Sequence, residues 1–166
     1  AGEAGGGIAW LLYGVVRLLG RERALRLARS RRAALTLRWL VDRVIGKKNH
    51  CFERNLRLVF PGIDDARIRE LRDANATNAA LVLVETCFLA GTAPASVRVT
   101  GGEHLVPLRG QAVVFVSAHL YNMYYVPLAL RALGFETAFL RLSMGATLLE
   151  RFSRHLLDPL GDAVPS

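Results

Sequence analysis

The stretch Gln111 to Tyr125, QAVVFVSAHLYNMYY, constrains the chain most. Ala112, Val113, Val114, Phe115 and Val116 run without a break into Ser117-Ala118-His119, and apolar residues at helical spacing follow. A short apolar run bounded by turn residues predicts a strand buried on both faces. Such a strand needs neighbours in a sheet and a helix to follow it. It would deliver His119 to the mouth of a strand-to-helix turn, where open α/β sheets place their chemistry.

The surrounding pattern predicts more of the same architecture. Asn122 to Leu133 reads as a helix, with Pro127 tolerated near its first turn and Gly134 as its stop. Phe135 to Leu142 reads as the next strand, with Arg141 near its carboxyl end. A strand, a helix and a strand joined by short connections make a parallel βαβ unit. Upstream, Val97 to Thr100 alternates like a short strand, and Leu105 to Leu108 reads as a brief helix. Thr147 to Leu157 is amphipathic. A longer helix starts at Asp64, which can cap it. Ile68, Leu71, Ala79, Val82, Thr86 and Leu89 give that helix a core face, with Asn75 and Asn78 nearby. The expected class is α/β: basic, amphipathic N-terminal helices, then a mixed or mostly parallel sheet with βαβ units.

Charge divides the chain. Residues 1–60 hold 13 of the 22 Lys/Arg against 4 of the 14 Asp/Glu, a net +9 within a total of +8. Ile8 to Leu19 is apolar but interrupted by Arg17, short of the about 20 apolar residues a spanning helix needs. The arginines that follow it contradict the order of a signal peptide. Trp10 and Tyr13 suit a membrane–water boundary. The expected organisation is a membrane-associating basic helical segment over 1–46 and an α/β domain over 47–166. A basic, apolar segment fits an anionic membrane surface or an acidic carrier protein. Nucleic acid is not expected, since no DNA- or RNA-reading motif is present. Cys51 and Cys87 have neither metal nor disulfide-framework spacing, and no metal is expected.

His119 is the candidate general base, because histidine titrates near neutrality. Acyl transfer to a hydroxyl asks such a base to take the hydroxyl proton as oxygen attacks a thioester carbonyl. A carboxylate normally orients the imidazole, and backbone N–H groups can hold the oxyanion. The run G-E-H-L (Gly102 to Leu105), an apolar strand and then S-A-H-L-Y-N-M-Y resembles the lipid A lauroyl/myristoyl acyltransferases, of the lysophospholipid (HX4D/E) type. E-R-N-L-R-L-V-F-P (Glu53 to Pro61) resembles the R-N-L…F-P segment of that family. Glu85 sits where its members carry a helical glutamate, and Arg141 resembles the arginine that ends the next strand. The likeness keeps this order over residues of about 8 to 160. It corresponds to the N-terminal half of a member, and the chain is expected to be a piece of a longer protein.

The resemblance implies a glycerolipid acyltransferase-like fold. It implies transfer of a fatty acyl group from an acyl carrier protein or coenzyme A to a hydroxyl of a membrane glycolipid. No bound cofactor is needed. The protein would work at the cytoplasmic face of the inner membrane, peripheral or anchored by its N-terminus. His119 matches the family histidine, and Asn122 agrees with the H-F-G-N-W-E form as a substrate-binding residue. Arg141 is the expected phosphate or headgroup contact. The acid position of the motif, however, is Tyr124, and Tyr121 stands where a glycine is usual. Three readings stay open. Glu103 or Glu85 supplies the carboxylate, Tyr124 pairs with His119 as a weaker partner, or the chain is a catalytically degenerate membrane-surface binding protein.

Overall fold

The computed structural model describes residues 2–45, 50–118, 121–141, 148–160 and 162–165. These residues are predominantly helical, and the α/β expectation is corrected. Among the described residues there are seven α-helices: α1 (Gly2–Leu19), α2 (Arg21–Ala28), α3 (Arg31–Ile45), α4 (His50–Val59), α5 (Asp65–Leu89), α6 (Tyr125–Ala132) and α7 (Leu148–Leu157). The described sheet is one parallel pair, β1 (Ala138–Arg141) with β2 (Asp162–Pro165), in register from Ala138 opposite Asp162 to Arg141 opposite Pro165.

The run 112–118 forms no strand. A strand buried on both faces must pair its N–H and C=O groups with neighbours, and none of the described segments lies beside it as a strand. Val114 and Val116 are 90% and 94% exposed, while Phe115 turns back edge-on to Phe135 at 5.4 Å. The expected strand over Val97 to Thr100 is likewise absent. Chain turns take its place, with short 3-10 segments at Pro94–Ser96, Gly102–His104 and Val106–Leu108.

The helices follow local signals closely. The Asp64 side chain accepts the Arg67 backbone N–H at 2.7 Å and caps α5. Arg57 pairs with Asp65 across the Phe60-Pro61-Gly62 break, and this cation holds the Asp65 carboxyl below its usual range. Pro127 sits in the first turn of α6, and Gly134 follows that helix at φ +85°. This left-handed region is open to glycine at little cost.

Helix α5 is the central element, contacted by α1, α2, α3, α4 and α7. Its buried residues are Ile68, Ala76, Ala80, Val84, Thr86, Cys87 and Leu89. Ile68, Thr86 and Leu89 are buried as expected, Leu71 and Val82 are half-buried, and Ala79 is exposed, while Ala76, Ala80, Val84 and Cys87 widen the buried face. Asn75 and Asn78 face solvent. The stripe follows its neighbours: α2 and α3 cover α5 through Ala24, Ala28 and Ala34, which meet Ala80 and Val84. Small residues allow close approach of these helices. A second cluster joins Leu89, Leu128, Phe152, Leu156, Leu157 and Leu160. Helix α1 closes it, with Trp10 at 5.4 Å and Tyr13 at 6.0 Å from the Phe152 ring. Tyr13 Oη lies 3.1 Å from His155 Nε2. The first 45 residues therefore pack against both α5 and α7. No helix among the described residues is long and apolar enough to cross a membrane.

Candidate functional site

Glu85 is the one acid in the apolar run Ala79 to Ala90 of α5. A carboxylate in such a setting needs donors, and the chain just after His119 supplies two. Asn122 Nδ2 donates to Glu85 Oε2 at 3.3 Å, and Tyr121 Oη donates to Glu85 Oε1 at 3.4 Å. Each carboxylate oxygen keeps a second lone pair for a further donor.

Asn122 is 5% exposed. Its amide orientation is fixed, because the group facing the carboxylate must be the NH2. The oxygen Oδ1 therefore points away, and it has no hydrogen-bond partner among the described residues. A buried acceptor left this way costs about 1–3 kcal/mol. Burial pushes the Tyr121 phenol above its usual range, and the Glu85 charge and hydrogen bond push the same way; Arg29 opposes them. The second half of α5 and the 121–122 segment thus meet at one carboxylate.

The four residues singled out in the sequence fare differently. Asn122 lies in this cluster. Tyr124, at the motif's acid position, is half-buried at the start of α6 against the Leu128–Phe152 core, and burial raises its phenol pKa. Arg141 ends β1 opposite Pro165, and its side chain is outside the described residues. His119 also lies outside the described residues. Of the two acids proposed as substitutes, Glu85 meets the 121–122 segment. Glu103 sits exposed on a 3-10 turn, 3.6 Å from His104.

Tyr121 is the residue that sequence reasoning undervalued. It stood out there only as a departure from glycine, yet its hydroxyl is half of the link to Glu85. The isolation of Glu85 in an apolar run was the available signal that something would come to meet it. Among the described residues no group of three His, Cys, Asp or Glu could hold a metal ion. The chain matches no protein-family model, no curated protein and no solved structure.

Proposed function

We propose that this protein transfers a fatty acyl group from a thioester of acyl carrier protein or coenzyme A to a hydroxyl of a membrane lipid. His119 is the base. It takes the hydroxyl proton as the oxygen attacks the thioester carbonyl, and returns a proton to the thiolate when the tetrahedral intermediate collapses. The observation that carries this reading is the tie of Glu85 to Tyr121 and Asn122. It brings a carboxylate to the two residues that lie two and three positions beyond His119. An imidazolium formed there needs a negative charge nearby, and a phenol cannot supply one at neutral pH. Asn122 and Arg141 serve the acceptor lipid, as hydroxyl and headgroup contacts. The setting is the cytoplasmic face of the inner membrane, with the protein held peripherally.

The test is transfer of radiolabelled acyl groups from acyl carrier protein and from coenzyme A to membrane lipids. The reading expects transfer by the wild-type chain and its loss in His119→Ala. Transfer unchanged by that substitution rejects His119 as the base.

A second reading is a catalytically degenerate membrane-surface protein. Tyr124 favours it: the position that should hold an acid holds a ring packed into the core. Liposome binding without transfer from either donor selects this reading.

A further inference from the structure

We propose that the outer face of α1 and the exposed arginines of α2 form a docking surface for an anionic lipid bilayer. The inner face of α1 is committed, with Trp10 and Tyr13 packed on α7 and Val16 beside the alanine-rich cluster of α2, α3 and α5. Arg17 is also committed, 5.0 Å over the Phe88 ring. On the opposite side Leu11, Val15 and Leu18 recur at i, i+4 and i+7 and form an exposed apolar row, with Leu18 89% exposed. A helix apolar on both faces is at home only with apolar matter on both sides. The chain supplies it on one side.

Charge identifies the other side. Helix α2 starts two residues after Leu19, and its Arg21, Arg23 and Arg26 are exposed. None of the three has a carboxylate partner among the described residues. Glu22 is the only acid between residues 4 and 41. An apolar row beside unpaired cations complements an anionic headgroup layer over acyl chains. Because its inner face is already packed on protein, α1 lies in the plane of the interface with only the outer row entering lipid. A second copy fits less well, since α1 set against α1 brings two cationic α2 helices together. Nucleic acid would leave the leucines without a partner.

This surface is separate from the Glu85 cluster, and vesicle binding reads it without any transfer reaction. The full chain is sedimented with phosphatidylcholine vesicles, with and without phosphatidylglycerol. Binding is expected to the anionic vesicles and to weaken as salt rises. Leu11→Ser/Val15→Ser/Leu18→Ser and Arg21→Gln/Arg23→Gln/Arg26→Gln should each weaken it by about tenfold or more, since each basic residue near such a surface contributes roughly a factor of five. All six residues are exposed, so the helical circular dichroism of both variants should match the wild type. In a separate variant, Leu18→Trp, the added emission should shift to the blue on anionic vesicles and be quenched by brominated lipid. Equal binding to neutral and anionic vesicles overturns the proposal. So does wild-type affinity in either triple variant. A dimer that the serine triple dissolves while vesicle binding persists reassigns the row to a second copy.

Discussion

Helix α1 and the run Ala112 to Val116 are both strongly apolar, and they end in opposite situations. Helix α1 buries Trp10 and Tyr13 against Phe152 and His155. The run at 112–116 leaves Val114 and Val116 almost wholly in solvent. Backbone pairing explains the difference. A helix satisfies its own N–H and C=O groups, so a single apolar face suffices to seat it. An apolar strand must be given its partners by other parts of the chain. Here β1 and β2 pair with each other and leave the run without a ladder.

The largest contrast should appear in stability. Phe152→Ala removes a buried ring at the α1–α7 contact and should cost about 3–5 kcal/mol in urea unfolding. Val116→Ala at a 94% exposed position should stay within about 0.5 kcal/mol of the wild type. A Val116→Ala cost comparable to that of Phe152→Ala would mean the run is packed after all. Glu85→Ala falls between them. It leaves the Asn122 amide and the Tyr121 hydroxyl without their acceptor, at about 1–3 kcal/mol.

A smaller effect concerns Cys87, buried in α5 with its thiol pKa pushed up to about 11 by burial. The ordinary thiol ionises near 9. Between these values the unfolded chain releases a proton that the folded chain retains, so folding stability falls as pH rises. Melting temperatures across that range should drop more steeply in the wild type than in Cys87→Ala. Equal slopes would place the thiol in contact with water. At neutral pH the same thiol should react slowly with iodoacetamide in the folded protein and readily in urea.

Sequence and structure agree where signals are local. The Asp64 cap, Pro127 in the first turn of α6, Gly134 at that helix's end and the amphipathic pattern of α7 each act within a few residues. The structure carries all four. What failed was the inference from an apolar run to a sheet, which depends on partners far along the chain. An unbroken run such as AVVFV has no period that distinguishes a buried strand from an exposed segment. The core face of α5 was legible at Ile68, Thr86 and Leu89 and missed at Ala80 and Val84, whose burial comes from the alanines of α2 and α3. The site was half legible. His119, Asn122 and the missing acid at Tyr124 stood in one short motif. The Glu85 contact joins positions 36 and 37 residues apart, which no local spacing encodes.

We propose that Glu85 does the work that the motif assigns to an acid at position 124. Transfer rates of Glu85→Gln and Tyr124→Phe, compared with the wild type, test it most directly. Neutralising the acid of a comparable catalytic triad costs on the order of 10⁴ in rate. A loss approaching that size is expected in Glu85→Gln, and a rate within about threefold of the wild type in Tyr124→Phe, where packing is kept and only the hydroxyl is lost. Loss of transfer in Tyr124→Phe with Glu85→Gln near wild type would contradict it and return the role to the tyrosine.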